Sequence, residues 1–135
     1  MGKFTSLQND VFAIFGTTAW VAESIKTVPT NMFDDTNNDS FIRINIIASG
    51  SGVNVLSVSG VLIIDIFTPI NVGPNPVSLI ADKLDDYLLG KTFTADSKSV
   101  TQFASSSLSF VGQDADNAML FRSKYQVNLN FFRNQ

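Results

Sequence analysis

The chain has 135 residues, a net charge of −3 and an apolar fraction of 44%, which fit one globular domain. It has neither cysteine nor histidine, which excludes disulfides, thiolate or imidazole metal ligands and histidine-activated nucleophiles. The acidic balance disfavours gripping nucleic acid, and no apolar run approaches the roughly 18 residues of a membrane span. Charged residues are only 16%, against about 25% in average domains, which suits either contacts with other subunits or simply a neutral surface.

The first half of the chain contains one predicted helix and two long β-rich stretches. Apolar residues recur at helical spacing over residues 4–15. Residues 18–28 are predicted to be extended or mixed, and 31–40 to form a polar loop. Residues 41–47 are β-branched and apolar on both faces, which predicts a strand with little exposure. The glycines and serines of 49–52 predict a turn or a flexible loop.

The second β-rich stretch, residues 53–67, is too long to stay straight inside a small domain. At about 3.3 Å per residue it would reach roughly 50 Å, whereas the expected domain diameter is about 26 Å. Gly60 in its middle predicts a bulge or a close approach of backbone. The stretch therefore either bends there or projects as a β-hairpin arm, which would engage a neighbour by strand addition.

A second helix is predicted over residues 76–89, with Asn75 as its cap. Its apolar residues form one stripe, and Asp82, Asp85 and Asp86 lie on the other face. Because nothing apolar surrounds these carboxylates in helical projection, they are interpreted as a solvated helix face rather than as a catalytic pair.

The last third is predicted to be mostly β. Residues 92–95 predict a short strand, 100–111 a strand interrupted by three serines, and 112–118 a turn. Residues 119–131 alternate between apolar and polar, which predicts a strand with one side facing solvent or a partner. The predicted fold is α+β: a mainly antiparallel twisted sheet with two helices packed on one face.

Asp65 lies in an apolar run, where burial of a lone carboxylate would be costly. It therefore needs a partner or water. Arg43, in the other long strand, is the candidate partner in a structural salt bridge. The strand register is not visible in the sequence, so this pairing is a hypothesis.

Other candidate interface residues come from the end of the chain. Phe131 and Phe132 point to opposite sides of a strand, so one of them needs cover from outside the main core, which favours oligomerisation. Arg122 and Lys124 lie on the polar side of that strand. The interface or structural candidates are thus Arg43, Asp65, Gly60, Arg122, Lys124 and Phe132.

No catalytic, cofactor-binding or metal-binding residue is predicted. Asp35 begins a run that matches the first ligands of a calcium loop, but Ser40 replaces the turn glycine and Ile46 replaces the bidentate glutamate. A solvated polar loop is the preferred interpretation. The expectation is therefore a non-enzymatic protein without a cofactor.

The order and spacing of several segments resemble the bacteriophage tail terminator-like family, which is similar in fold to the lambda-type tail terminator. The resemblance covers about residues 4–132 and depends on turn and core residues rather than on a catalytic signature. The segments that carry it are 41–45, 60–67 with Pro69 and Gly73, 80–84, 111–112 and 120–131.

This resemblance implies a homohexameric ring that caps the tail tube, stops tube polymerisation and offers its other side to a head–tail connector or stopper protein. DNA would pass through the channel without specific binding. The subunit would be assembled in the host cytoplasm and reside at the neck end of the virion tail. Loops 49–56 and 112–118 are expected to be mobile in an isolated subunit and to become ordered on assembly.

Three alternatives remain open. The first is another neck, stopper or tail tube subunit, which the sequence barely separates from a terminator. The second is a small-ligand-binding or enzymatic α+β domain, which requires a convergent polar pocket. The third is a secreted sugar-binding module, which usually requires more than the single Trp20.

Overall fold

The computed structural model describes residues 3–29, 40–51, 57–93, 99–114 and 119–133. The helices are α1 (Lys3–Phe15), α2 (Thr18–Ala22) and α3 (Asn75–Leu88). The strands are β1 (Lys26–Pro29), β2 (Phe41–Ser51), β3 (Val58–Pro69), β4 (Thr92–Phe93), β5 (Ser99–Gln113) and β6 (Leu120–Arg133).

The strands form one six-stranded sheet in the order β1-β2-β3-β6-β5-β4. Every pairing is antiparallel except that of β1 with β2, which is parallel. The predicted α+β class with a mainly antiparallel sheet is therefore confirmed.

The main core lies between the helices and one side of the sheet. Alternate residues of each strand point to this side, as the pleat requires, and the apolar stripes of the helices cover them. The shared core includes Leu7, Val11 and Ile14 of α1, Val77, Leu84 and Leu88 of α3, Ile42 and Ile44 of β2, Leu62, Ile64 and Ile66 of β3, and Tyr125, Val127, Leu129 and Phe131 of β6.

A third helix, α2, occupies part of the segment predicted to be extended or mixed. Thr17 starts it, because its hydroxyl oxygen accepts a hydrogen bond from the Trp20 backbone N–H. The Trp20 side chain is 1% exposed and meets Phe15 and Tyr87 edge to face, with ring centroids 5.1 Å apart in both pairs. Burial of this one large side chain fixes a helix too short to be stable alone.

Helix α3 forms as predicted, but its start differs. Asn75 is the first helical residue, and Pro74 takes the cap position without a side-chain hydrogen bond. The predicted cap at Asn75 is thus wrong by one residue. The helix is held instead by its apolar stripe, in which Val77, Leu84 and Leu88 are fully buried.

Gly60 marks a close backbone approach, as expected, but β3 does not bend there. The pairing of β3 with β6 runs without a break from Val58 to Pro69. The irregularity lies opposite, in β2, between Ile47 and Gly50. A Cβ on Gly60 would lie 2.1 Å from the Ile47 carbonyl oxygen, so the bulged strand presses against the glycine.

Two predicted turns begin later than expected. β2 continues through Ser51, and β5 continues through Gln113. The described part of the predicted arm is paired on both sides within the sheet. Residues 52–56 and 115–118, and with them most of the loops predicted to be mobile, lie outside the described residues, as does the Asp35 loop.

Substitution of Gly60 by alanine should destabilise the fold, because the new methyl group would overlap the Ile47 carbonyl. Overpacking of this kind costs about 1–3 kcal/mol, measurable by urea-induced unfolding. Gly16→Ala is the matched control, since its nearest atoms would lie 3.7 Å away. Equal stability of the two variants would refute the close approach.

Candidate assembly surfaces

The side of the sheet opposite the helices is named the open face. The strand register places on it alternate residues of the three central strands. No described helix contributes to the small apolar cluster on this side. The face is formed by Phe41, Arg43, Asn45 and Ile47 of β2, Val61, Ile63, Asp65 and Phe67 of β3, and Arg122, Lys124, Gln126 and Asn128 of β6.

Asp65 is the buried charge of the open face, at 3% exposure. The Arg122 guanidinium donates two hydrogen bonds to its carboxylate: Nη2 lies 3.1 Å from Oδ2, and Nε lies 3.3 Å from Oδ1. Asn45 Nδ2 donates to the same Oδ2 at 3.1 Å. Two strands thus satisfy a carboxylate on the strand between them, which removes most of the penalty of burying it.

Arg43, the predicted partner, lies directly opposite Asp65 in the β2–β3 register. However, the ion pair that Asp65 forms is with Arg122. The Arg43 guanidinium lies over the Phe67 ring, 5.1 Å from its centroid, and that of Arg122 lies 6.0 Å from the same centroid. Phe67 also stacks on Phe41 with 4.6 Å between centroids, so cation–π contacts cap this apolar cluster.

The predicted interface candidates separate into two groups. Arg43, Asp65 and Lys124 form one row across three strands, with Arg122 one row away opposite Phe67. Gly60 and Phe132 lie towards the other end of the sheet. Phe132 is half-buried on the open-face side, opposite Val100. The structure therefore brings four of the six candidates together.

Asp85 corrects another expectation, because it is not part of a solvated helix face. Its Oδ1 accepts hydrogen bonds from the Tyr125 hydroxyl at 2.6 Å and from the Ser106 hydroxyl at 2.7 Å. Tyr125 is 1% exposed. This contact between α3 and the two strands β5 and β6 was missed because Asp85 reaches over the edge of the apolar stripe. Asp82 and Asp86 are exposed, as predicted.

An exposed apolar rim lies where β3 ends and β5 approaches β6. Val72, Phe110, Val111 and Met119 are each about half exposed, at 49%, 52%, 57% and 54%. Beside them is a cavity of about 390 Å³. Its lining combines the turn after β3 with two aromatic rings and consists of Pro69, Ile70, Asn71, Gly73, Pro74, Phe110 and Phe121.

The rim was not singled out from the sequence, because Phe110 and Val111 look like ordinary strand residues there. The only signal was apolar residues on both sides of β5 at its end. Clustered exposed apolar side chains mark contact surfaces more often than they mark solvent-facing walls.

Within the described ranges no three acidic side chains cluster in a way that would hold a metal ion. None of the helices described combines the length and apolarity needed to cross a bilayer.

Comparisons with known proteins support the fold alone. No protein-family model and no curated protein sequence matches the chain. Among the solved structures that match, one of a protein without a functional name covers 97% of this chain and 94% of its own, with a TM-score of 0.61 and 11% sequence identity. At that identity the similarity carries no functional information.

Asp65→Asn should lower the free energy of unfolding by about 1–3 kcal/mol, because the hydrogen bonds to a charged acceptor become neutral ones. In a double-mutant cycle, Asp65 should couple more strongly with Arg122 than with Arg43. Urea denaturation of the single and double variants measures both. Asp82→Asn, on the exposed side of α3, is the control. A stronger coupling with Arg43 would contradict the observed pair.

Burial first, and then the hydrogen bond to Asp85, raise the pKa of Tyr125 well above its ordinary value. A phenol whose pKa is raised by folding contributes stability below about pH 10, and this is lost as the pH rises further. Between pH 8 and pH 11, the melting temperature should therefore fall less steeply with pH for Tyr125→Phe than for the unaltered chain. Identical slopes for Tyr125→Phe and the unaltered chain would contradict the assignment.

Proposed function

We propose that this chain is a non-enzymatic structural subunit that works as a homohexameric ring, the terminator that caps the tail tube of a long-tailed bacteriophage. The observation that carries the proposal is the distribution of its surfaces. No helix in the described ranges covers the open face of the sheet, and four exposed apolar side chains cluster at one end of it. Such surfaces suit protein partners better than they suit small substrates.

The family resemblance supplies the specific role. Its carrying segments contain much of the structural centre of the molecule: β2, β3, α3 and β6. The rim then suits an axial partner, either the tail tube protein below the ring or the connector protein above it. On this proposal the protein resides at the neck end of the virion tail, after assembly in the host cytoplasm.

The chemistry of the described residues is consistent with a structural role. Two sets of polar groups bond among themselves: Asp65 with Arg122 and Asn45 on the open face, and Asp85 with Tyr125 and Ser106 beneath α3. Groups satisfied in this way fix packing and register. The net charge of −3 suits a channel that lets DNA pass without holding it.

A second candidate function has one observation in its favour, the rim cavity. Its volume of about 390 Å³ falls in the range of small-molecule sites, roughly 300–1,000 Å³. Its lining is almost entirely apolar, and Asn71 is the one side chain there that would orient a ligand. The preferred interpretation of this cavity is a docking pocket for an apolar side chain of a partner protein. The alternative is that the chain is a non-enzymatic domain that binds an apolar ligand there.

The oligomeric state tests the proposal most directly. Native mass spectrometry and negative-stain electron microscopy of the purified chain should show closed rings, six subunits being the expected number. Added to polymerising tail tube protein, these rings should stop tube growth. A chain that stays monomeric at high concentration and binds an apolar ligand would instead favour the second candidate.

A further inference from the structure

Among the described residues, the outer edge of β5 is only partly paired. β4 pairs with it only at Thr101 and Gln102, and the backbone of Gly90 and Lys91 bonds to Phe103. Over residues 104–112, no described part of the chain pairs with this edge. The 15 residues of β5 include no proline and no charged residue, although proteins commonly protect free edges with these residues.

The strand register shows which backbone groups point outwards. Phe103 bonds outwards and lies opposite Leu129. The backbone N–H and C=O groups of successive residues in an antiparallel strand point to alternate sides. Those of Val127, Tyr125 and Ser123 therefore point the same way as those of Leu129. Their partners on β5 therefore direct their backbone N–H and C=O groups away from the sheet. These partners are Ser106, Leu108 and Phe110.

The other lateral edge of the sheet, at β2, is also only partly paired among the described residues. β1 pairs with β2 only from Phe41 to Ile44. Residues 45–51 continue as strand, with no backbone partner on the outer side in the ranges that the structure describes. This segment, Asn-Ile-Ile-Ala-Ser-Gly-Ser, also has no charge and no proline.

The two edges are compatible in direction. β2 is antiparallel to β3, β3 to β6, and β6 to β5, so β2 and β5 run in opposite directions. A second copy placed beside β5 would therefore present its β2 as the next antiparallel strand. Two different edges meeting in this way make a heterologous contact, the type that closes a ring.

We propose that the outer edge of β5, residues 104–112, pairs with the outer edge of β2, residues 45–51, of a second copy of this chain. The sheet then continues from subunit to subunit, and main-chain hydrogen bonds provide the contact. This inference rests on the proposed ring and identifies the strands that form it.

Cysteine cross-linking tests the pairing cleanly, because the chain has no cysteine of its own. Ile47→Cys and Ser107→Cys combined should give a ladder of covalent multimers with a short thiol cross-linker, since both positions are exposed on the open-face side. Neither single variant should be cross-linked. The control pair, Ile47→Cys with Leu79→Cys on the exposed side of α3, should give no ladder.

A matched pair of substitutions tests the backbone contact itself. Ser106→Pro and Ser106→Ala both remove the hydroxyl that donates to Asp85, but only proline removes the outward N–H. Proline is tolerated on an edge strand where its nitrogen faces solvent. Ser106→Ala should form rings, whereas Ser106→Pro should fold and remain largely monomeric in the mass spectrum.

The possible outcomes separate this inference from the proposed function. Rings that form without a ladder in the double-cysteine variant overturn the strand pairing and leave the ring in place. A covalent dimer from Ser107→Cys alone would show β5 pairing with β5, which also overturns it. Failure of the unaltered chain to assemble would refute the proposed function. If Ser106→Pro does not fold, the cross-linking result decides.

Discussion

The register of β3 is the constraint on which the other surfaces depend. This strand is paired on both sides, with β2 and with β6, so its alternation is imposed on both neighbours. Leu62, Ile64 and Ile66 face the helices, and Asp65 and Phe67 face the other way. A shift by one residue would turn the Asp65 carboxylate into the main core, away from the donors of Arg122 and Asn45. Arg122 and Asn45 therefore hold the register as well as the charge.

Periodic patterns made much of the fold predictable. The alternation in β6, the helical stripes of α1 and α3 and the serine interruption of β5 all match observed elements, the last as a register shift between Phe103 and Ser106. Features that depend on partners distant in sequence were not predictable. The choice of Arg122 over Arg43 depends on which strands lie beside β3, and the helix α2 depends on the burial of Trp20 between Phe15 and Tyr87.

Gly60 shows how a correct local signal acquires its meaning from a neighbour. An isolated glycine in a strand indicates a bulge or a close approach, and the sequence places that signal on β3. The structure places the bulge on β2, and Gly60 only leaves room for it. The chain beyond the bulge keeps pairing with β3 as far as Ser51. The glycine thus allows β2 to be longer than predicted. This added length extends the outer edge of β2 beyond its pairing with β1.

The proposed lateral and axial contacts are not independent, because they share residues. Phe110 and Val111 belong to the exposed rim and also lie within residues 104–112 of β5, the edge proposed to pair with a second copy. An unpaired strand end loses order more easily than one bonded on both sides. Strand addition by a second copy would therefore fix the rim before an axial partner reaches it, and would reduce the entropy cost of the second contact. On this view the ring is a precondition for strong binding to the tube or the connector, and an isolated subunit binds either of them only weakly.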